Sequence, residues 1–157
     1  MNFTIKRFWT MHLLAFLALT MFSCVMPAAH ADPLGALNPN VVQANIGTTI
    51  CTPGWTATIR PPAYYTNKLK VAQLPPGSDL SAYEEDHFVP LSIGGAPRDK
   101  ANLWPQPRIG TCSASDKDRL ELALNRSVCY GSLTLFEAQQ AIIIWRTTYA
   151  KYYKRGC

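Results

Sequence analysis

The sequence predicts an α+β fold in which a β-hairpin is followed by a helix, on three observations. Residues 83–91 and 102–104 have strand character and are separated by the turn-forming run Gly94-Gly95-Ala96-Pro97-Arg98-Asp99. Ser115 opens a stretch with Asp116 and Asp118 in its first turn, where carboxylates suit the helix dipole. Leu120, Leu124 and Val128 then recur at spacings of four. Thr134 and Glu137 form a capping box at the head of a second, longer helix.

The remaining elements follow in chain order. Lys6 and Arg7 precede an apolar run over residues 13–26, and Ala29-His30-Ala31 supplies the small residues of an export-signal cleavage site. Cleavage after Ala31 would leave a single domain over residues 32–157, about 126 residues long, in the periplasm or outside the cell. The apolar run is short of the roughly 20 residues that span a bilayer. Met21-Phe22-Ser23 is a poor context for a lipid on Cys24, so no stable membrane association is expected after cleavage.

Residues 32–45 read as an irregular lead-in. Residues 48–60, rich in Thr, Ile and Trp around Pro53-Gly54, read as short strands about a turn. Residues 64–74 read as a short helix with Lys68 and Lys70 solvated, stopped by Pro75-Pro76-Gly77-Ser78. The helix from Ser115 should end near Cys129, before Gly131. The last helix carries Leu135, Ala138, Ile142, Trp145, Tyr149 and Tyr152 on one face, and this aromatic stripe reads as core packing. There is no internal repeat or low-complexity segment.

Hydrophobic residues make up 48% of the chain and charged residues 16%, which suits one globular core and excludes a disordered tail. Losing Lys6 and Arg7 with the signal lowers the net charge from +5 to +3, a balance that permits a polyanionic partner without demanding one. Cys51, Cys112, Cys129 and Cys157 remain, an even number suited to two disulfides in an oxidising compartment. No pair has the Cys-x-x-Cys spacing of zinc knuckles. Four cysteines allow three pairings among which sequence does not choose; Cys51 with Cys129 and Cys112 with Cys157 is the working expectation.

The chemistry concentrates in EEDHFVPLSIGGAPRDKANLWPQP, from Glu84 onward. Phosphodiester hydrolysis needs an activated water, positive charge at the phosphate, and a group that fixes the base's tautomer. Adjacent residues on a strand point to opposite faces, so Asp86 and His87 would do different jobs. His87 is the only histidine outside residues 1–31. As a lone dipeptide, Asp86-His87 would read as an ion pair at a strand end.

Asp86-His87-Phe88-Val89-Pro90, then Gly94-Gly95, then Asn102-Leu103, resembles the HNH endonuclease family with its ββα-metal fold. The resemblance implies His87 as general base, Asp86 as metal ligand, and Asn102 as the residue that orients His87 through its backbone or fixes the loop. The family's third position, a His or Asn at the start of the following helix, has no counterpart between Leu103 and Leu124. Asp118 is the expected second ligand, in a segment similar to the helix start in the HNH domains of RNA-guided nucleases. Asp116 and Glu121 are its competitors. Two carboxylates would favour Mg²⁺ or Mn²⁺ over Zn²⁺.

Arg98, Lys100, Arg108, Lys117 and Arg119 cluster around the motif and could meet phosphates. The expected function is an exported, metal-dependent endonuclease acting on DNA, with RNA as the other option. No sequence-reading module is visible, and no protein partner is expected. The alternative is a disulfide-stapled binding module for nucleic acid or protein that keeps the frame without catalysis.

Overall fold

The hairpin forms where the strand pattern places it. In the computed structural model, which describes residues 35–157, β1 (Tyr83–His87) pairs antiparallel with β2 (Leu103–Pro107), with Asp86 opposite Trp104 and His87 opposite Leu103. β1 stops at His87, short of the residues 83–91 expected, because Pro90 turns the chain into a 3₁₀ turn, Leu91–Ile93. Pro105 and Pro107 are tolerated in β2 because the sheet has two strands, both of them edges. The described residues lie in one compact unit; the export signal read over residues 1–31 falls outside them.

Residues 48–60 are not strands. They hold the end of a 3₁₀ helix, Gln43–Thr48, then a loop, then α1 (Trp55–Ile59). Threonine hydroxyls satisfy carbonyls within the segment, Thr49 donating to the Asn45 oxygen (2.8 Å) and Thr58 to the Trp55 oxygen (2.7 Å). Gly54 starts α1 from a left-handed conformation (φ 81°). The β-preference of Thr and Ile yields here because no neighbouring strand is present to pair with.

α2 (Ala63–Gln73) follows Pro61-Pro62 and packs against both strands. Its Lys70 is not simply solvated. The ammonium donates to the Leu80 and Tyr83 carbonyls (3.0 and 3.1 Å), tying the helix to the start of β1.

α3 (Ala114–Cys129) starts one residue earlier than Ser115, because Ser113 and Asp116 form its capping box. Leu120, Leu124 and Val128 are buried together with Trp145 and Tyr149, as the stripes predict. The last helix is broken in two: α4 (Leu135–Ile143) and α5 (Trp145–Tyr153) meet at Ile144, whose φ −105° and ψ 38° leave the helical range. The break follows a β-branched run, Ile142-Ile143-Ile144, and Thr148 donates its hydroxyl to the Ala141 carbonyl (2.7 Å) across it. Beyond the break Tyr153 packs on Tyr149 (ring centroids 4.6 Å), whereas Tyr152, expected in the stripe, is exposed.

Two disulfides, Cys51–Cys129 and Cys112–Cys157, pair as the working expectation has them. The first closes a separation of 78 residues and fastens the α1 segment to the end of α3. Loop-closure entropy makes such a crosslink worth about 4 kcal/mol against the unfolded chain. No described helix is long and apolar enough to cross a membrane.

Glu85, in the middle of β1, has both carboxyl oxygens buried without a hydrogen-bond partner among the described residues. Burial pushes its carboxyl from 4.5 up to about 7, with the Lys70 ammonium pulling the other way and the Asp86 charge adding to the rise. A raised carboxyl holds its proton longer in the folded state, so its contribution to stability is complete below 4.5 and is lost as pH rises towards 7. Thermal unfolding across this range should show Glu85→Gln melting above the wild type at pH 8, with the gap closing by pH 4. A gap independent of pH would show that Glu85 is already ionised in the fold.

Candidate active site

The loop between the strands is held by one side chain. The fully buried Asn102 accepts from the Val89 N–H (2.7 Å) and donates to the Val89 and Ala96 carbonyls (both 2.9 Å). Its backbone carbonyl accepts from the Phe88 N–H (2.8 Å). Asn102 therefore fixes the loop, the second of the two roles the resemblance allowed it. It stands in a 3₁₀ turn, Lys100–Asn102, immediately before β2.

Gly95 is required inside this loop. A Cβ there would meet the Val89 carbonyl oxygen at 1.7 Å and the Asn102 amide nitrogen at 2.9 Å. The lead-in, read as bare of function, braces the same loop from outside: Asn38 N–H donates to the Gly94 carbonyl and Ala96 N–H to the Ala36 carbonyl, both at 2.8 Å.

His87 closes β1 with its ring nearly buried, and Nε2 lies 3.0 Å from the Pro97 carbonyl. A carbonyl can only accept, so Nε2 carries the proton and the neutral ring keeps its lone pair on Nδ1. Burial lowers the imidazole's pKa; the Pro97 hydrogen bond and the Asp86 charge oppose this, while Arg60 and Lys117 add to it. The ring is thus neutral at pH 7 and can take a proton.

Asp86 does not meet Asp118. The helix residue brought to it is Lys117, whose ammonium donates to Asp86 Oδ2 (2.7 Å), to the His87 carbonyl (2.8 Å) and to Glu121 Oε1. The Lys117 side chain is 0% exposed, so it cannot be the phosphate contact read from the sequence. Its position was legible: it precedes Leu120 by three and Leu124 by seven residues, on the buried stripe. Desolvation acts to lower its pKa, but the Asp86 and Glu121 charges more than offset it and the ammonium is held above its usual range.

Asp118 stands nearby without lining the cavity at Asp86 and His87; burial and the Asp86 charge raise its carboxyl. Asp116 is structural, with Oδ1 accepting from the Tyr149 hydroxyl (2.7 Å) and Oδ2 from the Ser113 N–H (3.2 Å). Glu121, one of the two competitors of Asp118, is the helix carboxylate that shares Lys117 with Asp86 and lines the cavity. Burial pushes it up to about 7 against the pull of the ammonium.

The resemblance calls for a divalent metal, and the residues as arranged do not fit one. The facing oxygens of Asp86 and Glu121 are both taken by the ammonium, and a cation between them would sit against a like charge. Among the described residues no three His, Cys, Asp or Glu side chains converge as a ligand set.

A cavity of about 130 Å³ opens at the site, and Asp86, His87, Glu121, Thr56 and Arg60 are among the residues that line it. Arg60 carries no motif signal: it follows α1, in a segment read as strand, and only the fold brings it to His87. The other basic residues of the motif lie at the surface. Arg98 lies over the Tyr65 ring (5.5 Å) and Arg119 over the Tyr153 ring (4.6 Å), Arg108 pairs with Glu84 (2.8 Å), and Lys100 is exposed on its turn.

Replacing Asn102 by Ala strands three buried backbone groups of the loop, at about 1–3 kcal/mol each. Urea unfolding should show Asn102→Ala destabilised by about 3 kcal/mol or more, whereas a loss under about 1 kcal/mol would mean that the loop is held by something else.

No family model matches the chain, and no curated protein or solved structure matches it.

Proposed function

We propose that the protein is an exported endonuclease that hydrolyses phosphodiester bonds, with DNA as its main substrate and His87 as general base. The observation that carries this reading is that His87, whose neutral ring directs its Nε2–H to the Pro97 carbonyl, lines a cavity that Arg60 also lines. The order Asp86-His87, Gly94-Gly95, Asn102 and following helix supports it through the resemblance to HNH endonucleases. Two disulfides support export, since such bonds persist in oxidising compartments.

In the reaction, Nδ1 of His87 takes a proton from water as the water oxygen attacks phosphorus. The bond from phosphorus to the leaving oxygen breaks, and that oxygen leaves with a proton from solvent. Arg60 meets the negative charge of the phosphoryl group. Asp86 does not touch substrate in this scheme; it holds Lys117, which fixes the His87 carbonyl.

The strand has a path away from the cut. Thr56 and Ser92 line both the active-site cavity and a larger one of about 520 Å³, which reaches Arg126 and the 85%-exposed Tyr130. A guanidinium for phosphate and an open aromatic face for a base suit a single-stranded or frayed segment.

Purified protein should nick plasmid DNA, and His87→Ala should lose about 100-fold or more in rate, the usual contribution of a general base. Equal nicking by both would overturn the assignment, and DNA binding without cleavage would make the chain a binding module. Because burial lowers the His87 pKa, kcat/KM should be flat above the ordinary histidine value and fall only below it. An acid limb centred above that value would exclude His87 as the base. Replacing Arg126 by Glu, or Tyr130 by Ala, should raise KM about tenfold with little change in kcat; an unchanged KM would place the strand elsewhere.

A further inference from the structure

Lys117 has a geometry that a surface lysine does not. An ammonium offers three N–H donors, and here all three have acceptors: Asp86 Oδ2, Glu121 Oε1 and the His87 carbonyl. The side chain has no exposure, so the ammonium cannot swing into water without opening the contact between α3 and the hairpin. Lys117 and Glu121 are one helical turn apart on the same face of α3. The helix therefore delivers both the cation and one of its two carboxylates.

Two carboxylates that share one cation are oxygen donors of the kind a hard divalent cation binds. In this chain the shared cation is an ammonium that is covalently part of the fold. A divalent ion bridging Asp86 Oδ2 and Glu121 Oε1 would have to expel Lys117, and the His87 carbonyl would lose its donor at the same time.

We propose that Lys117 is a built-in cation that closes the Asp86–Glu121 pair to divalent metal, so that the site works with the protein's own positive charges. The second half of this inference rests on the nuclease reading; the first half does not. The positive charge offered to substrate is then that of Arg60, which lines the same cavity as His87 and acts on its charge.

The test titrates Mn²⁺ into purified, disulfide-bonded protein and follows free Mn²⁺ by electron paramagnetic resonance. Wild type should show no saturable site that Asp86→Asn removes. Lys117→Met keeps an unbranched stem of similar length and vacates the cation position. It should bind one Mn²⁺ at least about tenfold more tightly, and adding Asp86→Asn should abolish that site. Wild type binding Mn²⁺ in an Asp86-dependent way as tightly as Lys117→Met would overturn the proposal. Should Lys117→Met fail to fold, wild type against Asp86→Asn still decides: Asp86-dependent binding refutes the closed pair, and its absence upholds it.

Plasmid nicking adds an independent arm. Wild type should cleave at the same rate in EDTA and in Mg²⁺, while loss of cleavage in EDTA that Mg²⁺ restores would refute the metal-independent site. Absence of cleavage in every condition would count against the nuclease reading alone, because the Mn²⁺ titration reads the Asp86–Glu121 pair without reference to activity.

Discussion

The loop between the strands depends on the three side-chain hydrogen bonds of Asn102. A 15-residue excursion from His87 to Asn102 would ordinarily be loose, yet this one carries Val89 and Ile93 into the core with no exposed surface. A buried loop must satisfy its own carbonyls and N–H groups, and Asn102 does this at the point where the loop returns to the hairpin. Gly95 allows the Val89 carbonyl to come that close. The Pro97 carbonyl, which sets the tautomer of His87, lies one residue beyond the Ala96 carbonyl that Asn102 holds. Loop closure and the tautomer of His87 are one construction.

Lys117 is the second constraint, and it works by charge. Burying an ammonium costs several kcal/mol unless it is paired and fully hydrogen-bonded, and removing one partner of such a set costs about 3–5 kcal/mol. Lys117 meets that condition with two carboxylates and a backbone carbonyl. The result fixes how α3 meets the hairpin more sharply than apolar packing could, since hydrogen bonds have direction and methyl contacts do not. It also accounts for Asp86, which faces away from His87 along the strand and stabilises the histidine's backbone through Lys117.

Regular patterns were legible and spatial coincidences were not. The hairpin, α3 and the capping box at Thr134 follow from period, turn chemistry and cap residues, all local signals. The α1 segment was misread because Thr and Ile favour strands only where another strand is present to pair with. Asp118 looked suited to meet Asp86 because it stands in the first turns of the helix, but residues 117, 120, 121 and 124 form the inward face and 118 does not belong to it. Periodicity places Lys117 on the inward face, but a lysine beside an acid-histidine motif reads as a phosphate contact, because lysine is seldom buried. Arg60 had no such signal, because what puts it beside His87 is the course of the chain before α2.

That course is set by a covalent bond. Cys51–Cys129 joins the loop before α1 to the last turn of α3, and the disulfide cysteines themselves line the larger cavity next to the active site. Thr56 in α1 then forms part of both cavities, and Arg60, at the end of α1, lines the smaller one. Without the crosslink, α1 is a five-residue helix with no buried residues, far too short to hold its place by its own stability. The positive group near His87 is therefore positioned by oxidation of a cysteine pair some distance from it. Arg60 should stand near His87 only in protein folded where that bond can form, so the arrangement depends on an oxidising environment.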